Sequence, residues 1–504
     1  MNDKRTSSAD QVSHENLEFR ANYRPQLNTP ELHRIQETRT EILRNFPALD
    51  RTLPFGPLCR QGLEDMPSLM IEDHSGIQLS VNGKTNLDLS YRSIMLAGDG
   101  DLVAVYGARD HEFERYCKKT LALGTPKVFA PEIADPTTTL ADACRNDDAL
   151  MAHAVQTAQL AGGINIVSYM ATGGIWHLGS EIAQQAKVPV YIAGPRPSLT
   201  RAVNDKLWFS RWAARLLGKN AVPHARSVYG MGALVGHLRH FMKQHSAVAI
   251  KLSHSAASMG NMVFDSATFS GMSAAEMAEH LGLAIKKREW GNPFPLQVTA
   301  WEGPVLASPS AQLWIPKAKD GPPIIEGFFD QLTSGEIARF VGGVPSTLGE
   351  QIKGKMARDA AMLGTLFQAL GYFGRCSFDA LVIGKNEQSS DLHWVECNGR
   401  WGGISIPLTL ANRLAPDCQA GGFLVFSHQS DDGASIQLDQ FLSLHIDLMF
   451  RAGGTSGAVL MTPSTLAHGR VELLIIAEDQ ASALAIAEGF ASTTDNPEGI
   501  RITA

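Results

Sequence analysis

The stretch HWVECNGRWGG, His393 to Gly403, places Glu396 and Asn398 two residues apart in a segment of strand character, then adds Arg400 and two glycines. Side chains alternate along a strand, so Glu396 and Asn398 share a face. Upstream, GRCSFDALVIG alternates like a second strand, and GKNEQSSD between the two reads as a turn-rich hairpin connection. Asp379 and Glu396 are equidistant from the centre of that connection, so a regular hairpin sets them nearly opposite each other. Facing carboxylates repel, and a partly enclosed charge is costly unless it is paired or coordinates a cation. An oxygen-only set with room for water and phosphate suits Mg²⁺. The plainer alternative is a polar outer sheet face with a salt bridge.

Two lysines add positive charge. In HSAVAIKLSHSAASMGN, Val248, Ile250 and Leu252 fall on one strand face and Ala249, Lys251 and Ser253 on the other. A loop of small residues, Ser253 to Asn261, follows at once, and its backbone could close over phosphates. His254 either touches phosphate there or decorates the loop, the second being favoured. Lys206 lies in NDKLWFSRWAARLLG, where NDK opens an amphipathic helix that ends near Gly218.

These residues need a scaffold. A chain of 504 residues, 44% hydrophobic and without a tract of about 18 apolar residues, is expected to form about three domains and not to span a membrane. The start lacks the apolar core and cleavage site of a secretory signal, which implies a cytoplasmic protein. Six cysteines without a CxxC pair argue against a disulfide scaffold or a zinc ribbon and read as reduced core residues. A formal charge of −7, with no basic run interleaved with aromatics, speaks against nucleic acid as a partner.

The expected fold is α/β and α+β. Residues 1–85 read as a polar, proline-punctuated arm or cap. Over residues 86–199, short apolar runs (SIMLAG, LVAVYG, KVFAPE, INIVSYM, VPVYIAG) alternate with helical segments, which predicts a Rossmann-like parallel sheet. Its turns LAGDGDLVAVYG and YMATGGIWHLGSEIA lack the full GxGxxG fingerprint and read chiefly as structural βα turns, with anion binding by backbone N–H groups as the minority reading. Residues 200–427 form the longer central unit, and residues 436–504 close the chain as a small α/β domain.

In order, NDK, then VAIKLS with its small-residue loop, then GRCSFD, then VECNGRWGG resembles the ATP-grasp superfamily over about 200 residues. With LAGDGDLVAVYG, SPSAQL (Ser308 to Leu313), the Asp330–Gln331 pair and the C-terminal appendage, the chain resembles carboxylate–amine ligases of the pheganomycin type, which carry a pre-ATP-grasp domain. The resemblance implies ATP-dependent joining of a small-molecule acid to an amine, an amino acid or short peptide, through an acyl phosphate in specialised peptide biosynthesis. It implies Mg²⁺ on Asp379, Glu396 and Asn398. Lys206 and Lys251 would meet ATP phosphates under a loop that includes Ser255, Ser258 and Gly260. Arg400 would bind phosphate or acyl-phosphate oxygens, and Arg400, Lys251 and Glu396 would carry catalysis. Adenine would lie at LQVTAWEG, near the backbone of Ala300 and Trp301, with Glu302 on the ribose. A homodimer is compatible with this reading.

Two departures stand out. The covering loop has a single glycine, Gly260, and GFFDQ puts Phe328 and Phe329 where relatives are more polar. The phenylalanines imply either a more apolar substrate pocket or two core residues, the second favoured; packing is likewise favoured for Trp401 over stacking on substrate. The rivals to a ligase are a small-molecule kinase on the same fold, a nucleotide-binding protein without catalysis, and a nicotinamide-dependent oxidoreductase on the N-terminal domain.

Overall fold

The structure is a computed structural model that describes residues 11–14, 17–51, 54–76, 89–133, 135, 137–253, 260–334, 339–416, 421–429 and 435–491. A short hairpin, β1 (Gln11–His14) and β2 (Leu17–Arg20), opens the chain. It leads into α1 (Thr29–Asn45), whose start is fixed by a capping box between Asn28 and Glu31. The Arg358 guanidinium also donates to Glu31 (2.7 Å), which ties α1 to the central unit.

Six parallel strands follow: β3 (Cys59–Gln61), β4 (Ser68–Ile71), β5 (Leu102–Ala104), β6 (Lys127–Phe129), β7 (Ile164–Ser168) and β8 (Val190–Ile192). Their order is β3-β8-β7-β4-β5-β6, a doubly wound sheet. Two details differ from the sequence reading. The stretch SIMLAG is not a strand: Ser90–Leu96 forms a buried 3₁₀ segment. The segment expected as an arm instead supplies β3 and β4: CRQ is a largely polar triplet with no strand signal of its own, and SLMI is a short run hidden among prolines and polar residues.

Next come β9 (Ala225–Val228), β10 (Ala247–Leu252), β11 (Asn261–Asp265) and β12 (Leu296–Ala300), an antiparallel sheet in the order β11-β10-β12-β9. A nine-stranded sheet then takes β13 (Val305–Ala307), β14 (Pro309–Ile315), β15 (Ile324–Ser334), β16 (Arg339–Pro345), β17 (Gly374–Ile383), β18 (Asp391–Asn398), β19 (Gly422–Gln429), β20 (Gly457–Leu460) and β21 (Arg470–Ala477). Its path is β13-β17-β14-β15-β16-β19-β21-β20, with β18 on β17. Among the described residues the C-terminal unit expected as a separate α/β domain therefore has no sheet of its own, because β21 pairs with β19 along eight residues from Gly422↔Ala477 to Gln429↔Arg470.

One face of this sheet is a core. Cys376, Phe378, Ala380 and Val382 alternate inward from β17 against α2 (Lys206–Leu217) and α3 (Glu350–Ala369), which bury Trp208, Phe209 and Trp212, and Met356, Leu363 and Phe367. Burying each such side chain stabilises by roughly 1.5–3 kcal/mol. The opposite face of β17 presents Arg375, Ser377 and Asp379, and that face carries the site. The five described cysteines are buried and unpaired; Cys418 lies outside the described residues. Among the described residues no helix is long and apolar enough to cross a membrane.

Candidate active site

Asp379 pairs with Glu396 and Ser377 with Asn398 across β17 and β18. The hairpin is not regular, however. Near the turn the register runs Ile383↔Asp391 to Ala380↔Trp394, and continued unchanged it would set Asp379 against Val395. Val395 is an extra, bulged residue, and beyond it the pairing shifts by one. Burial shows the consequence: Leu392 and Trp394 point into the core, but after the bulge Cys397 does, which turns Glu396 and Asn398 to the open face. The expected pairing stands because two irregularities cancel, Asp391 belonging to the strand and Val395 being looped out.

Asp379 accepts hydrogen bonds from Ser310 Oγ (2.6 Å) on β14 and from Asn398 Nδ2 (2.9 Å). Burial, with the Glu396 charge beside it, pushes its carboxyl up to about 6, while Ser310 and Gln331 pull the other way. Burial also works against ionised Glu396, yet the Lys206 ammonium, joined by Lys251 and Arg400, more than offsets it and holds that carboxyl below its ordinary value.

Lys206 is the first residue of α2. Asp205 caps the helix by accepting from Leu207 N (2.7 Å) and Trp208 N (3.2 Å), a cap worth about 1 kcal/mol. This start aims Lys206 Nζ at Glu396 Oε2, 3.1 Å away, and the Lys206 backbone N–H donates to Ser253 O just past β10. Lys251 comes from β10, whose other face (Val248, Ile250, Leu252) packs into a separate core. Burial and the nearby Lys206 ammonium bring Lys251 down to about 8, with Glu396 and Glu302 resisting. Two enclosed ammonium groups thus share a site with one firmly ionised carboxylate.

Arg400 donates through Nη1 to Asn204 Oδ1, which also takes the Gly399 N–H (3.1 Å). Gly399 is required here, since a Cβ would sit 2.4 Å from Val203 Cγ2. Asn204 is therefore the residue that fixes the NGR turn, a role the NDK motif signalled only by its asparagine. Ser310 and His393 were also missed as site residues. His393 Nδ1 lies 2.6 Å from Glu302 Oε2, so the expected ribose partner is held by the edge strand.

Of the backbone near Ala300 and Trp301, expected to meet adenine, the two N–H groups are taken up in the sheet, donating to His224 O and Ala247 O, both at 3.0 Å. The Trp301 ring lies 5.9 Å from Lys251 Nζ. Gly260 follows Lys251 across the loop mouth, where its carbonyl accepts from Leu252 N (2.8 Å). His254, Ser255 and Ser258 lie outside the described residues. Trp401 is packed in the core near Phe19 and Arg375, and its backbone N–H donates to Tyr169 O (2.9 Å).

Residues 90–184 match the pre ATP-grasp domain family. The biotin carboxylase domain of Hydrogenobacter thermophilus 2-oxoglutarate carboxylase, solved with MgADP and bicarbonate, superposes with a TM-score of 0.53 at 12% identity, over 85% of this chain and 89% of that one. The chain has an ATP-grasp fold. Campylobacter jejuni biotin carboxylase with a β,γ-ATP complex gives 0.51 at 13% identity, covering 86% and 96% of the two chains. Thermus thermophilus N5-carboxyaminoimidazole ribonucleotide synthetase gives 0.51 at 11%, covering 86% and 100%. Comparison with curated protein sequences finds no match. In this ATP-grasp fold, β10 brings Lys251, α2 brings Lys206, and β17 and β18 bring Asp379, Glu396 and Asn398 to one place.

Proposed function

We propose that the chain is an ATP- and Mg²⁺-dependent carboxylate–amine ligase that works through an acyl phosphate and releases ADP and phosphate. The observation that carries this is the convergence of Lys206, Lys251 and Arg400 on the Asp379–Glu396 pair, all against the open face of one hairpin. Cations enclosed to this degree call for an anion, and a polyphosphate supplies it.

The residues present fit Mg²⁺. Asp379, Glu396 and Asn398 form a hard-oxygen set on one face, and the raised Asp379 carboxyl is what a carboxylate pair without a cation should show. When bound, the ion would neutralise charge on phosphate oxygens. Lys206 and Lys251 hold the phosphates in line, and Arg400, braced by Asn204, offsets charge on the oxygens of the transferred phosphoryl group. A carboxylate is inert to amines; once phosphorylated it carries a leaving group. The likeness to biotin carboxylases solved with ADP or ATP supports nucleotide chemistry on this fold, and joining an acid to an amino acid or short peptide is what the resemblance to pheganomycin-type ligases adds to that reading.

Hydroxylamine tests the reaction class, because it intercepts acyl phosphates. With an acid substrate and no amine, it should yield ADP, phosphate and a hydroxamate. A stable phosphate ester without free phosphate would mean a kinase, and AMP with pyrophosphate an acyl adenylate; either defeats the proposal.

A further inference from the structure

The strand β14 carries two buried polar side chains that the proposed chemistry does not use. Ala311 and Leu313 are packed in the core covered by α2 and α3, so Ser310 and Gln312 alternate onto the other face, beside the carboxylates. Both are 3% exposed. A hydroxyl and an amide enclosed to this degree are costly unless they are hydrogen-bonded. Register decides what they bond to: Ser310 pairs with Asp379, and Gln312 with Ser377. On its other side Gln312 faces Gly327, which has no side chain to compete for it.

The bonds run in one direction. Gln312 Nε2 donates to Ser310 Oγ (3.0 Å), and an amide nitrogen can only donate. A hydroxyl has a single proton, so that of Ser310 is left for Asp379 Oδ1, 2.6 Å away. The other carboxylate oxygen, Oδ2, accepts from Asn398 Nδ2 (2.9 Å), and Gln331 on β15 hydrogen-bonds the same group. Neutral donors therefore hold both oxygens of Asp379 and orient it without cancelling its charge. Asn398, with its amide nitrogen committed to Asp379, has its carbonyl oxygen to offer a cation.

We infer that Ser310, directed by Gln312, is a positioning residue for the Mg²⁺ ligand Asp379: the chain from Gln312 through Ser310 fixes the plane of that carboxylate. This rests on the Mg²⁺ site of the proposed reaction. Hydrogen bonds behind a metal ligand set its direction, and losing one costs roughly 10- to 100-fold in metal affinity or activity. Neither Ser310 nor Gln312 needs to touch substrate for this.

ADP binding, measured by calorimetry on the full chain over a series of Mg²⁺ concentrations, tests the role without turnover. Ser310→Ala should raise the Mg²⁺ concentration that half-maximally enhances ADP binding by about tenfold or more. ADP affinity without Mg²⁺, which reports the lysines, should stay as in wild type. Ser310→Thr keeps the hydroxyl and should restore most of the loss. Gln312→Leu should raise the Mg²⁺ requirement by a smaller factor, and should add nothing in the Ser310→Ala background, where no hydroxyl is left to direct. A wild-type Mg²⁺ requirement in Ser310→Ala, equal losses in the alanine and threonine variants, or a Gln312→Leu effect undiminished without the serine overturns the assignment. So does an equal loss of ADP binding with and without Mg²⁺, which marks a packing defect. If Ser310→Ala does not fold, Gln312→Leu decides alone, and an unchanged Mg²⁺ requirement refutes the chain. Hydroxamate formation with wild-type Mg²⁺ dependence in Ser310→Ala defeats the positioning role alone; a shifted Mg²⁺ requirement with no hydroxamate from the wild type defeats the ligase reading alone.

Discussion

Lys251 is the most exacting residue of the site, because a strand with a fully apolar back face leaves its ammonium no retreat to water. Its folded value near 8 lies below the ordinary 10.5, so between those values the unfolded chain binds more protons. Stability of the nucleotide-free protein should therefore rise with pH across that window. ATP binding runs the other way: phosphates want the ammonium charged, so ATP affinity should fall as pH rises through about 8, by at most tenfold per unit. Titration calorimetry from neutral pH upward checks this, and Lys251→Met should flatten the profile; a flat wild-type profile would place Lys251 away from the phosphates. Glu396→Gln keeps size and removes a charge that faces Lys206 at 3.1 Å. Turnover should drop by on the order of 10²- to 10³-fold, the loss usual for one charge-stabilising group. Activity within about tenfold of wild type, with normal Mg²⁺ dependence, would refute its role.

At the level of elements, β18 does the positioning, and its bulge shows what a sequence can and cannot disclose. The parity change from Leu392 and Trp394 to Cys397 is written in the chain, but it reads as a bulge only once burial is known. The strand–turn–strand pattern and the lysine on β10 were legible because period-two alternation is a local signal. The pairing of the backbone at Ala300 and Trp301 was not: that their N–H groups are taken up depends on β9 and β10 lying beside them, a matter of tertiary pairing. Nor was the continuation of the large sheet into β21, since pairing partners far apart in sequence leave no local trace. Deleting Val395 keeps every partner in register from Ile383↔Asp391 to Ser377↔Asn398 but removes the local kink. The variant should stay folded, with a stability change of about 1 kcal/mol or less, while kcat falls at least tenfold because the carboxylates are re-aimed. Denaturant unfolding and turnover measured on one preparation check both halves; unimpaired turnover would show that the bulge is incidental to catalysis.

At the scale of the whole molecule, α4 (Ser405–Leu414) links two regions. It begins at the loop bearing Arg400, and Arg413 near its end reaches into the N-terminal domain. The Arg413 guanidinium donates to Ala97 O (2.7 Å), Leu123 O (2.6 Å) and Met95 O (3.3 Å), the carbonyls of segments flanking β5. The Trp401 backbone N–H adds a bond to Tyr169 O at the end of β7, so the loop and its helix are both fastened to the parallel sheet. Arg413→Ala leaves these carbonyls without their donor. Hydrogen bonds to a charged group contribute about 1.5–3 kcal/mol each but do not add fully, so a loss of roughly 2–4 kcal/mol is expected. Because the lost contacts lie between the parallel sheet and the central unit, the effect should show as weakened cooperativity as well as a lower Tm: one calorimetric transition should broaden or divide, with ATP kinetics impaired through the displaced Arg400 loop. A uniform drop in Tm with a single sharp transition and normal kinetics would mean that the two regions are held together elsewhere, by the apolar contacts around Phe19, Trp314 and Trp401.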